Sequence, residues 1–133
     1  MKKQVILHSY GVAEYMYRNS NKKRDEMYIL GLLHDIGKIH GFDNHELLGG
    51  KITKDIGFIY SEEIKYHGIV QSDYSSYELD LLNAADLSID SEGNEVGYIK
   101  RIEDIKTRYG EKSTQYIDAV LLSKELIKKK MLI

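Results

Sequence analysis

The stretch MYILGLLHDIGK, residues 27–38, ends an apolar run on an imidazole and a carboxylate side by side, His34 and Asp35. A charged Asp at the end of such a run is costly unless something pairs with it. The run predicts a helix over about 23–36. It is apolar nearly all round, which marks it as central and buried, and Gly37 can end it.

The rest of the chain reads as helical too, so the expected fold class is all-α, a single compact bundle of about six to seven helices. Val5, His8, Val12 and Tyr15 share helical spacing in a first helix over about 4–18. Asn19, Ser20 and Asn21 end it and offer caps for the next helix. A polar loop from Lys38 to Asn44 follows, and Asp43 or Asn44 can cap a third helix over about 45–56. Its expected inner face holds His45, Leu48, Gly49, Ile52 and Ile56. Ser61, Glu62 and Glu63 start a short fourth helix ending near His67, with Ile64 and His67 inward. Residues 68–75 read as loop. A fifth helix over about 76–87 carries Leu79, Leu82, Asn83 and Asp86 in one stripe, and a polar loop spans 88–94. Two C-terminal helices fill about 96–109 and 113–130, separated by Gly110. No proline interrupts any of them.

Composition narrows the function. A length of 133 residues fits one domain, 1–133, around one core, and 42% hydrophobic with 30% charged residues is ordinary for a soluble globular protein. The net charge of −2 gives no basic footprint for nucleic acid. The absence of cysteine removes disulfides, thiolate metal sites and Cys nucleophiles, and suits a reducing cytoplasm. Lys2 and Lys3 precede too short an apolar run, Val5 to Leu7, for a signal peptide. No run approaches the ~20 apolar residues of a membrane span. The 11 tyrosines are scattered and read mostly as core-edge residues with a wet hydroxyl.

The histidines and aspartates are the informative residues. His8 shares a stripe with Val5 and Val12, and His34 with Met27, Leu30 and Gly31. His45 falls with Leu48 and Ile52, His67 with Ile64, and Asp86 with Leu79 and Leu82. Side chains at i, i+3, i+4 and i+7 share a helix face. All of these therefore point inward, from different helices. Asp35 can join them where its helix ends. Singly, an inward His is usually a satisfied core residue, and an inward Asp usually caps or pairs. Few inward cations are available here to pair with two carboxylates. A divalent metal would neutralise both, with neutral imidazoles as its companions.

The order His8, then His34-Asp35, then a distal Asp86 resembles the HD-domain superfamily of metal-dependent phosphohydrolases. GLLHDIGK (31–38) resembles the heart of its pattern, HELLG (45–49) its His-x-x-x-Gly element, and AADLS (84–88) the segment bearing its last ligand. The likeness covers about residues 8–90. It implies an all-α fold with a metal site at its centre, His8, His34, Asp35 and Asp86 holding a first ion. His45 and His67 match the extra histidines of the two-metal branch, in which Asp35 would bridge. Two ions chosen from Fe, Mn, Co, Ni or Zn suit such ligands better than Mg²⁺. The implied chemistry is attack on phosphorus by a hydroxide shared between the ions, with Asp35 and Lys38 in catalytic roles.

Lys38 reads equally as a solvated loop lysine or, by the resemblance, a phosphate contact. His40 is a surface residue by default and alternatively a substrate contact. Asp43 is a helix cap or a pocket carboxylate, and Asp90 competes weakly with Asp86. Gly31, Gly49 and Gly50 read as ordinary close packing. The implied substrate is a nucleotide or similar small phosphate ester, and the layout resembles bacterial hydrolases of dinucleoside tetraphosphates. The chain departs from that group after Asp86, where LSIDS (87–91) lacks the usual basic residue. A di-iron oxygenase of the same superfamily and a non-catalytic metal- or nucleotide-binding module are the alternatives. No nucleic-acid or membrane partner is expected, and sequence leaves the oligomeric state open.

Overall fold

The computed structural model describes residues 2–40 and 44–133, the His40 side chain excepted. Among these residues it is all-helical: α1 (Lys3–Asn19), α2 (Arg24–Leu33), a 3-10 segment (Ile36–His40), α3 (His45–Asp55), α4 (Ser61–Tyr66), α5 (Tyr77–Asp86), α6 (Tyr98–Tyr109) and α7 (Thr114–Lys128). An isolated antiparallel bridge, Ile89 to Glu95, is the β-pairing described, inside the loop after α5. No described helix is long and apolar enough to cross a membrane.

The helix at the middle is α5, not α2. It touches α1, α2, α4 and α7. It starts where the Ser76 hydroxyl accepts the Leu79 amide at 3.0 Å, a side-chain N-cap. Its Leu81, Leu82 and Ala85 enter a cluster with Val12, Met16, Met27, Leu30 and Ile64. Ala84 belongs instead to a second cluster with Leu87, Ala119, Leu122 and Leu126. Consecutive alanines let neighbours close in on both sides, so six residues of this short helix are buried.

By contrast α2 buries Met27, Leu30 and Gly31 and leaves Ile29 45% exposed. The expectation of a central α2 is therefore corrected. Its apolar run exceeds what its neighbours cover. Gly37 does not end it either: α2 stops at Leu33, and the chain turns through His34 and Asp35 into the 3-10 segment. Gly37 instead lets that segment lie against α3, since a Cβ there would stand 1.8 Å from the His45 carbonyl oxygen. Gly31, Gly49 and Gly50 also sit at close contacts, against Ala13, Ile64 and Lys65.

The inner face of α3 is turned from the one expected. Gly49, Gly50 and Thr53 are buried, whereas Ile56 is the C-cap and 69% exposed. The Thr53 hydroxyl donates to the Gly49 carbonyl at 2.7 Å, so a polar side chain is satisfied within the core. Asn44 occupies the N-cap without a side-chain cap bond, and Asp43 lies outside the described residues. Asn19, Ser20 and Asn21 do not cap α2, whose N-cap is Lys23. On the far side α6 buries none of its residues fully. It lays Tyr98, Ile102 and Ile105 over the second cluster beside α7.

Candidate metal centre

Five helices meet at one place. His8 comes from the middle of α1, His34 and Asp35 from the turn after α2, and His45 is the first residue of α3. His67 is the C-cap of α4 and Asp86 the last residue of α5. The helix ends matter physically. The last carbonyls of a helix have no intrahelical donor, and two of the imidazoles fold back to supply one. His34 Nδ1 lies 2.7 Å from the Gly31 oxygen and His67 Nδ1 2.5 Å from the Ile64 oxygen. His8 Nδ1 finds the Asp90 carbonyl at 2.9 Å. A carbonyl only accepts, so each of these Nδ1 atoms donates. In the neutral ring the Nε2 lone pair is then left facing the centre.

What Nε2 faces is carboxylate. Asp35 Oδ1 is 3.5 Å from both His45 Nε2 and His67 Nε2, while its Oδ2 is 3.2 Å from His34 Nε2 and 3.2 Å from Lys38 Nζ. Asp86 Oδ1 is 2.7 Å from His8 Nε2 and 3.6 Å from His34 Nε2. A lone pair set against a carboxylate repels it. A cation between them, proton or metal, reverses the sign. His34 makes the point most sharply, for its fully buried Nε2 has no hydrogen-bond partner. Ligand atoms of His8, His34 and Asp35, of His34, His67 and Asp86, and of Asp35, His45 and His67 each lie within 4.8 Å of one another. Asp35 thus faces two sets, one through each oxygen. A donor set of imidazole and carboxylate is compatible with divalent metal.

The electrostatics agree. Burial alone would lower the pKa of His34, yet Asp35 beside it, joined by Asp86, raises it to about 10. Burial would raise Asp35, but His34, then the His67 contact and the Lys38 charge, hold it well below the ordinary carboxylate range. Asp86 is likewise held low, against its burial, by His34 and His8. His45 goes the other way: burial lowers it, helped by His67 and Lys38, and Asp35 does not fully offset them. The centre therefore keeps its carboxylates ionised and attracts positive charge, which a proton on His34 supplies when no ion does.

The centre opens into a cleft of about 1080 Å³, lined by Asp35, Lys38, His45 and Asp86 and by residues of α6 and α7. Asp86 is the ligand candidate most open to it, its side chain 27% exposed. That volume accommodates a small organic molecule of nucleotide size.

The six residues predicted to hold metal, His8, His34, Asp35, His45, His67 and Asp86, are thus brought together, with Lys38 beside them. The His40 side chain lies outside the described residues. Asp90 takes part through its carbonyl, not its carboxylate. Its Oδ1 accepts the Glu92 and Asn94 amides, both at 2.9 Å, and so shapes the loop that reaches His8. That loop presses on α1 through paired glycines. A Cβ on Gly11 would stand 2.5 Å from the Gly93 oxygen, and one on Gly93 2.3 Å from the Leu7 oxygen.

Sequence reasoning passed over Gly11 and Gly93. The available signal was a glycine in mid-helix, one turn from His8. It also read Asn83 only as part of a stripe. The buried Asn83 Oδ1 accepts the Gly68 amide at 2.8 Å and pins the backbone immediately after His67. Glu63 was read only as part of a helix start; it is buried and accepts the Tyr74 and Ser76 hydroxyls at 2.5 and 2.8 Å, tying the 68–75 loop and the N-cap of α5 to α4.

The family model described as HD domain matches residues 5–115 of the chain. No curated protein and no solved structure matches it.

Proposed function

The chain belongs to the HD-domain family, and from that premise we propose that it is a metal-dependent phosphohydrolase acting on a nucleotide or similar small phosphate ester. One observation carries the proposal. The Nε2 atoms of His34, His45 and His67 face the two oxygens of a single buried aspartate, Asp35, and those of His8 and His34 face Asp86 beside it.

Two transition ions, of Fe, Mn, Co, Ni or Zn, suit the donors. His8, His34, Asp35 and Asp86 would hold one, and Asp35, His45 and His67 the other. When bound, the ions supply Lewis-acid polarisation of phosphoryl oxygens and acidification of water. The protein's own groups do the rest. Carbonyls of Gly31, Ile64 and Asp90 fix the imidazole orientation before any ion arrives, which removes a reorganisation cost from binding. Lys38, which lines the cleft 3.2 Å from Asp35, would donate to a non-bridging phosphate oxygen. A cysteine-free chain of this kind fits a reducing cytoplasm.

The test is phosphate release from a panel of nucleotides and p-nitrophenyl phosphates by protein loaded with each metal in turn. Turnover that depends on metal supports the reading. O₂ consumption by iron-loaded protein, with no phosphate released from any substrate, overturns it in favour of an oxygenase. Silence in both assays leaves a binding module.

A further inference from the structure

A phosphate ester has an anionic end at the metals, and whatever else it carries must lie along the cleft. The wall that follows Asp86 is poor in cations: from Leu87 to Ile99 the chain has no Lys or Arg. The acidic residues Asp90 and Glu92 line the cleft there instead. The next cations come from α6, and two neighbours on it behave oppositely. Lys100 is turned outward, 61% exposed at its side chain, and pairs with Asp104. Arg101 turns toward the cleft and lines it. Its Nε is shut off from water and has no hydrogen-bond partner. Among the described residues no carboxylate forms an ion pair with its guanidinium.

Arg101 as a whole is only half-buried, but an enclosed N–H without an acceptor is unusual, because a buried donor left unpaired is costly. A planar fork of donors suits two oxygens of a phosphoryl group. We propose that Arg101 is a substrate-binding residue that holds a second phosphoryl group, so that the preferred substrate carries a phosphate chain and not a lone monoester. This rests on the hydrolase reading for its biological sense, but the anion site itself does not need turnover. Arg108, two turns further along α6 and also on the cleft wall, extends the same cationic edge toward solvent.

The experiment is equilibrium binding of two probes to the metal-loaded chain: inorganic phosphate and a methylene-bridged triphosphate that cannot be hydrolysed. The wild type is expected to prefer the triphosphate. Arg101→Gln is expected to weaken triphosphate binding by roughly ten- to hundred-fold, the scale of a charged hydrogen bond, while phosphate binding and metal content hold. Arg101→Lys retains a charge without the fork and is expected to fall between the two. It also serves as the folded control should the glutamine variant lose its thermal transition. Equal preference in wild type and both variants overturns the proposal, as does a wild type that does not prefer the triphosphate. Arg101-dependent binding by a chain that hydrolyses no phosphate ester leaves this inference standing and overturns the hydrolase reading instead.

Discussion

At the scale of single residues, Asp35 is the group on which the centre turns, because each of its oxygens serves a different set of imidazoles. Asp35→Ala is expected to strip metal and abolish turnover while the helices remain folded, checked by metal content, activity and circular dichroism. Lys38→Ala should raise KM by roughly ten-fold or more, the scale of a charged hydrogen bond, with metal retained. Metal loss in that variant would reassign Lys38 to holding Asp35.

The raised pKa of His34 also has a readable consequence. Its folded-state value, about 10, lies above the ordinary histidine value, so in the metal-free chain it adds stability that is complete below about pH 6.5 and is lost as pH rises through about 10. The depressed Asp35 and Asp86 add stability above the ordinary carboxylate range, lost as pH falls. Thermal melts of metal-free protein should therefore decline from pH 6.5 to 10. Bound metal displaces the His34 proton and should flatten that limb. Calorimetry in buffers of differing ionisation enthalpy should show about one proton released on loading. His34 and Asp86 were legible because each sat on an apolar stripe where a polar group needs a reason, and Asp35 because it closes an apolar run. Asn83 sat on the same stripe, but its reason is a backbone amide in a loop, which no periodicity reports.

At the scale of elements, close approach decides what the donors can reach. A Cβ at residue 37 meets the His45 carbonyl at 1.8 Å, and neither backbone can yield without moving a ligand candidate. Gly37→Ala is expected to cost about 1–3 kcal/mol in chemical denaturation and to weaken metal binding, because it separates Asp35 from His45. Helix existence was readable from spacing throughout. Helix ends were less so. Gly37 is a familiar stop signal, yet it serves packing, and α2 ends earlier, where His34 begins to cap it. The turned face of α3 has a similar cause. Glycines and a self-satisfied threonine bury more easily than isoleucine where backbones are close, and hydrophobicity alone ranks them the other way.

For the whole molecule, the all-helical class and the gathering of distant His and Asp residues followed from the sequence pattern, and the HD-domain model spans most of the chain. Which helix lies at the centre did not follow. Apolarity measures what a helix can bury, whereas centrality depends on how many neighbours reach it, and the small side chains of α5 win that contest over the larger ones of α2. The cleft was also beyond the motif. Part of its wall is built from α6 and α7, which carry no recognisable signature, and Arg101 gains its significance from an enclosed, unpartnered Nε, not from spacing.

Metal analysis of the purified chain, before and after reconstitution with Mn, Fe, Co, Ni or Zn, bears most directly on the centre. About two ions per chain are expected, falling to near zero in Asp35→Ala. A native chain that takes up no transition ion, or an Asp35→Ala variant that keeps its full complement, would contradict the metal centre and the hydrolase chemistry built on it.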